Sequence, residues 1–218
     1  MSITIEYLPT GMLEVTCSIL INDETKEAVV IDGGGNENEI FQILQKHDAK
    51  LTTLLFTHGH FDHIGGAAAL AERAGVDNIE IIMHKEDEYL WTNAKEQAGR
   101  FQIPLDMNQL KPTRWIEDED TLTVAGIRLE TLYTPGHSPG SCCFYLREEG
   151  ILFSGDVIFQ GSIGRTDLWK GNFETLISSI RNKILTLPKE TKIIPGHGPA
   201  TSVASEASSN PFLNDESY

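Results

Sequence analysis

The stretch Thr57–Gly66, THGHFDHIGG, holds three histidines and an aspartate between His58 and His63. So many ionisable groups in one loop call for a counter-charge. Imidazole and carboxylate side chains at close spacing are what a zinc, iron or manganese site uses. In an extended segment, side chains two apart share a face about 6.5 Å apart, so His58 and His60 can converge on one cation. Asp62 and His63 are adjacent and cannot both point the same way in an extended segment, which favours a second cation.

Three more candidates sit far along the chain. LLFTH delivers His58, LYTPGH delivers His137, ILFSGD delivers Asp156 and KIIPGH delivers His197, each after an apolar run that reads as a strand. A glycine before the last three lets the backbone turn sharply at the strand end. A rigid sheet then fixes the side chain while leaving it open to substrate. Asp32 in VVIDGGG follows the same rule, either supporting a ligand or forming a turn.

The set is therefore five histidines (58, 60, 63, 137 and 197) and two aspartates (62 and 156). Seven ligands exceed one tetrahedral zinc and suit two metals sharing a carboxylate and a water. Zinc is the first expectation, with iron or manganese compatible with the same donors. His47, within a polar helix, and His84, before an acidic one, are expected to be ordinary histidines. Gly33–Gly35 has neither GxGxxG spacing nor a Walker lysine and reads as a turn. Ser154 lacks the nucleophile-elbow context.

The elements that must position these residues follow from patterning. ITIEYL, LEVTCSILI and EAVVIDGGG read as strands, followed by a helix capped near Asn36 with Glu39 three residues on. LTTLLFT is an apolar strand, GGAAALAERAG a helix closed by Gly75, and IEIIMH a buried strand. Lys85–Gln97 reads as a polar helix. LTVAGIRLETLYT and SCCFYLREEGILFSGD read as hairpins turning near Ala125–Gly126 and Glu149–Gly150. NFETLISSIRNKIL is helical and TKIIPGHG is a last strand. With no Pro- or Ser-rich linker, a single domain over 1–218 is expected, built as two sheets face to face with helices outside.

Composition narrows the partners. Seventeen basic against thirty-two acidic residues give a net charge of −15. That surface repels phosphate backbones, so no nucleic-acid partner is expected. The three cysteines, two of them adjacent, are read as reduced core residues. No run approaches the roughly 20 apolar residues of a membrane span. The start carries no secretory signal, so no membrane partner and a cytoplasmic location are expected, as a monomer or small homo-oligomer.

HGHFDH resembles the HxHxDH signature of the metallo-β-lactamase-fold hydrolases, and His137, Asp156 and His197 match the remaining ligands of that superfamily in order. The resemblance implies an αββα sandwich with a dinuclear site at its edge. It places His58, His60 and His137 on one metal, Asp62, His63 and His197 on the other, and Asp156 between them.

TPGHSPGS, FSGDVIFQGSIGRTDL and PGHGP followed by NPFLND resemble the glyoxalase II (hydroxyacylglutathione hydrolase) branch, in its short bacterial form. Only 21 residues follow His197, where long members carry a helical extension with basic glutathione contacts. The implied activity is hydrolysis of S-acylglutathione-type thioesters by a metal-bridging hydroxide, with Asp62 orienting the nucleophile and accepting its proton. Arg165 and Lys170 are the nearby cations for an anionic thiol carrier. GRTDL also resembles persulfide dioxygenases, mononuclear iron enzymes of this fold. A lactonase or other ester hydrolase is the remaining alternative.

Overall fold

The computed structural model describes residues 2–107, 109–117 and 120–214. The last four residues of the tail after His197 lie outside that range. Six strands form the first sheet in sequence order: β1 (Ile3–Thr10), β2 (Val15–Asn22), β3 (Glu27–Ile31), β4 (Lys50–Leu55), β5 (Glu80–His84) and β6 (Arg114–Ile116). The first three are antiparallel neighbours, whereas β3 to β6 run parallel. The second sheet uses β7 (Thr121–Val124), β8 (Ile127–Tyr133), β9 (Cys142–Leu146) and β10 (Ile151–Gly155). A small hairpin follows, β11 (Ile158–Phe159) with β12 (Ser162–Ile163). Then β13 (Lys192–Pro195) and β14 (Thr201–Ser202) complete the second sheet, ordered β14-β13-β10-β9-β8-β7.

Period-two patterning builds the layers. On β9, Cys142, Phe144 and Leu146 face the first sheet, where Leu20, Val29, Ile31 and Leu55 meet them. Cys143 and Tyr145 face the other way, onto a helical layer. On β2, Cys17, Ile19 and Ile21 likewise turn outward to a second helical layer, while Leu20 turns inward. Strands buried on both faces read as continuous apolar runs. The result is the expected four-layer αββα sandwich, with all three cysteines free and buried.

The outer helices on the first side are α1 (Glu37–Lys46), α2 (Phe61–Ile64), α3 (Ala67–Ala74), α4 (Glu88–Thr92) and α5 (Ala94–Gly99). On the second side lie α6 (Phe173–Ser179), continued by a π turn over Ile180–Ile184, then α7 (Val203–Ser209) and α8 (Pro211–Asn214). Among the described residues no helix is long and apolar enough to cross a membrane.

Three local expectations are corrected. Asn36 precedes α1 but is left-handed (φ 57°) and makes no side-chain cap; its Oδ1 accepts from the Gly11 N–H at 2.9 Å instead. Lys85–Gln97 is not one polar helix. It is a 3₁₀ turn, α4 and α5, broken at Asn93, with Asp87, Leu90, Trp91 and Ala94 buried. The ligand segment is not extended throughout: α2 starts within it at Phe61, burying Phe61 and Ile64, while the expected helix follows as α3, closed by Gly75. The hairpin turn at Ala125–Gly126 is as expected, with positive φ at both residues (49° and 73°).

Candidate metal centre

Topology brings the candidate residues together. Strands β3, β4 and β5 are parallel, so Asp32, His58 and Asp87 leave the same edge of the first sheet. In the second sheet β8 and β10 are both antiparallel to β9, and β13 is parallel to β10. Their ends therefore deliver His137, Asp156 and His197 to one edge. Gly155 is left-handed (φ 49°), and a Cβ there would lie 2.3 Å from Thr57 Oγ1. Gly196 acts through close approach, since a Cβ there would lie 2.3 Å from Asp156 Oδ1.

All seven candidate ligands meet. His58, His60 and His137 form one group; Asp62, His63 and His197 form another; His58, His63 and Asp156 link them. In the first, His137 Nε2 lies 2.9 Å from His60 Nδ1 and 3.3 Å from His58 Nε2. These spacings suit three nitrogens sharing one cation at bonds of about 2.0–2.1 Å. In the second, Asp62 Oδ2 lies 3.3 Å from His197 Nε2 and 3.8 Å from His63 Nε2. Asp156 stands between, with Oδ1 3.3 Å from His63 Nε2 and Oδ2 3.6 Å from His137 Nε2 and 3.7 Å from His197 Nε2. The turn of α2 solves the orientation of Asp62 and His63: helical backbone, not an extended one, carries both to the second group.

Four of the five imidazoles are held from behind. Nδ1 of His63 bonds Asp32 Oδ2 (3.0 Å), that of His137 the Arg165 carbonyl (2.8 Å), that of His197 the Leu13 carbonyl (3.0 Å), and that of His58 Thr57 Oγ1 (3.1 Å). Such contacts fix the ring and leave Nε2 for a metal. Asp32 also accepts from the Thr57 N–H and hydroxyl, which settles its role as a support for His63. His63 Nε2 and Asp156 Oδ1 are buried, face each other and form no aligned hydrogen bond. Buried polar atoms are rarely left so, and a shared cation would satisfy both. The donor set fits divalent metal.

Charge is distributed unevenly. Burial, then the other imidazoles, hold His58 well below its ordinary value, and burial with His137 takes His60 down to about 3. Burial opposes the charge on His63, yet Asp156, Asp32 and Asp62 together raise it well above the usual range. His197 is raised by its hydrogen bond to Asp62. Asp156 stays ionised because His63, His137 and His197 outweigh its burial.

One carboxylate escaped the sequence reading. Asp87 is fully buried and accepts from Gly59 N (2.8 Å), Ser138 Oγ (2.7 Å) and Gly140 N (2.6 Å). It thus ties the His58–His60 loop to the His137 loop. His47 pairs with Glu6 and His84 stacks on Tyr133, both away from the cluster.

A cavity of about 610 Å³ opens over the cluster, with His60, Asp62, His137, Asp156 and His197 among its lining residues. Arg165 lines it but is forked to Asp167 at 2.7 Å, and its carbonyl braces His137. Lys170 is not among the lining residues; its ammonium lies 4.7 Å over the Trp169 ring. Arg100, unremarked in the sequence, does line the cavity and pairs with Glu96 at 3.0 Å.

Known proteins share this fold. The model of the Metallo-beta-lactamase superfamily matches residues 12–197. Hydroxyacylglutathione hydrolase GloC of Haemophilus influenzae is 42% identical over 214 residues, covering 98% of this chain and 99% of that one. Among solved structures, the BLEG-1 B3 metallo-beta-lactamase superposes with a TM-score of 0.89 at 36% identity, covering 97% of this chain and all of that one. TTHA1623 in a di-iron-bound form gives a TM-score of 0.85 at 33% identity, covering 95% and 100%. The chain belongs to the metallo-beta-lactamase superfamily of metal-dependent hydrolases.

Proposed function

We propose that this protein is a dinuclear thioester hydrolase of the hydroxyacylglutathione hydrolase type, cleaving S-acylglutathione-like substrates. One observation carries the reading. Seven side chains divide into two groups that share Asp156, each open to the cavity, and four of the five imidazoles are oriented from behind. The 42% identity to GloC across nearly the whole chain directs the choice of substrate class.

His58, His60 and His137 would hold one divalent cation, Asp62, His63 and His197 the other, with Asp156 between. Bound there, divalent metal would supply a water of lowered pKa and a charge that polarises an acyl carbonyl. Asp62 would orient the nucleophile and accept its proton; it lines the cavity, and His63 with His197 keeps its carboxylate ionised against burial. A thiolate leaves readily, so the chain needs no further general acid. Arg165, on the cavity wall and forked to Asp167, would meet an anionic thiol carrier only by exchanging that partner.

Zinc is the metal proposed, with iron or manganese served by the same donors. No partner beyond the small-molecule substrate is proposed, and a cytoplasmic monomer or small homo-oligomer accords with the −15 charge. The test is metal analysis of the purified protein alongside hydrolysis of S-lactoylglutathione. Two metals per chain with thioester turnover is the expected result. A single iron with oxygen consumption on a persulfide would replace this reading with that of a persulfide dioxygenase.

A further inference from the structure

The cavity floor is polar, but much of its wall is apolar. Leu13, Phe101 and Leu168 line it while 41%, 55% and 36% exposed, three of the seven exposed large apolar side chains among the described residues. Phe101 packs on Phe61 with ring centroids 5.1 Å apart. A fourth exposed side chain, the Tyr89 ring, stacks at 4.2 Å on Trp169, which also lines the cavity. Exposed apolar groups scattered singly are ordinary, but a cluster around one opening marks a binding surface. Both cations on the walls, Arg100 and Arg165, are already paired with carboxylates. An anionic carrier therefore gains little there, because exchanging one exposed ion pair for another is worth about 0–1 kcal/mol.

Resting on the thioester-hydrolase reading, we infer that the preferred substrates carry a large apolar acyl group, roughly octanoyl or phenylacetyl in size, rather than a small hydroxyacyl group. The scissile carbonyl sits over the metal ligands, and the acyl chain lies along Leu13, Phe101 and Leu168. A lactoyl group is too short to cover those side chains. An eight-carbon chain removes them from water. Each methylene so buried raises kcat/KM by up to about four-fold.

The experiment measures kcat/KM for the metal-loaded protein on glutathione thioesters of lactate, acetate, butyrate, hexanoate, octanoate and phenylacetate. The expected result is a steady rise with acyl length and a preference for octanoyl over acetyl. In Phe101→Ala and in Leu168→Ala that preference falls by about four-fold or more. Both residues are partly exposed, and unchanged metal content and circular dichroism establish that each variant is folded. Hydrolysis of every ester with lactoyl best, or with no dependence on acyl length, overturns the inference and leaves the thioesterase reading standing. No hydrolysis of any thioester by the two-metal protein overturns both. Finding, by cross-linking and sedimentation, that a second copy of the chain covers Phe101 and Leu168 overturns the inference alone, because the apolar rim would then be an interface.

Discussion

His58, His60 and His137 bring three imidazoles to a point, and their surroundings favour the neutral form in two of them. Their contacts to the rest of the fold run through a hydroxyl, a backbone carbonyl and the amide and hydroxyl donors gathered by Asp87. Asp62, His63 and His197 differ in kind. They include a carboxylate, and both imidazoles are raised by neighbouring acids. Two imidazoles of the first triad are held neutral and open to a cation, whereas in the second triad protons compete with one. Asp156 touches both, so its loss should weaken both. This difference orders what should happen when each part is altered.

Removing the shared carboxylate has the largest consequence. Asp156→Ala leaves His63 Nε2 and His137 Nε2 without the group between them. Metal content should fall from two ions per chain to one or fewer. Thioester turnover should drop by about 10³-fold or more, the scale set by several kcal/mol of lost charge stabilisation. Retention of two ions and near-normal turnover would show that the triads are uncoupled.

The supporting carboxylates should each act on their own side. Asp32→Asn weakens the hold on His63 and should lower affinity for the second ion by about 10–100-fold while sparing the first. Asp87→Asn disturbs the backbone around Gly59 and Ser138 and should reverse that preference. It also leaves a buried donor short of a partner, costing about 1–3 kcal/mol of stability. Stepwise metal titration and thermal melting of both variants check this. Equal loss of both ions in each variant would dissolve the distinction between the triads.

Acidification separates them next. A ligating imidazole must be unprotonated, so a raised pKa means the cation has to displace a proton that persists to higher pH. For His63 and His197 the shift is upward, hence affinity at the second triad grows as pH rises through their raised values and falls as pH drops. His58 and His60 are shifted downward, His60 to about 3, so at these two ligands protons compete less with a cation as pH falls. Metal content measured from about pH 8 to pH 5 should pass from two ions to one, with proton release on rebinding the second. Loss of both ions together would contradict the assigned asymmetry.

Much of this centre is legible in the sequence because the fold builds it by one repeated device, an apolar strand ending in a turn and a donor. His58, His137, Asp156 and His197 all announce themselves in that way, and alternation on β2 and β9 announces the layers. What escaped was set by longer-range packing. Asp87 lay in a segment judged by its polarity, yet 87, 91, 94 and 98 recur at helical spacing, and Asp87, Trp91, Ala94 and Ala98 are all buried. An acid at a core position of that period was the available signal. The three-residue β6 exists only because β5 offers it a parallel edge. At the C-terminus, buried Glu206 gathers Gly161, Thr201 and Asn210 and docks the last helices against the small hairpin. No local pattern in the sequence shows that partnership. The orientation of Asp62 and His63 was likewise settled by the helical turn at Phe61, which buries Phe61 and Ile64 on one side.

The smallest effect belongs to Arg165, and it tests how the first triad is held. His137 is braced by the Arg165 carbonyl, which any residue supplies, while the guanidinium pairs with exposed Asp167. Arg165→Ala should therefore leave metal content and the melting temperature nearly unchanged, since an exposed pair contributes about 0–1 kcal/mol. The same limit applies to binding. If the side chain only exchanges Asp167 for a substrate carboxylate, KM for a glutathione thioester rises by less than about five-fold. A larger rise with kcat intact would mean that the guanidinium leaves Asp167 to bind the carrier directly. Loss of the first metal ion would mean that the fork to Asp167, and not the backbone alone, shapes the turn that places His137.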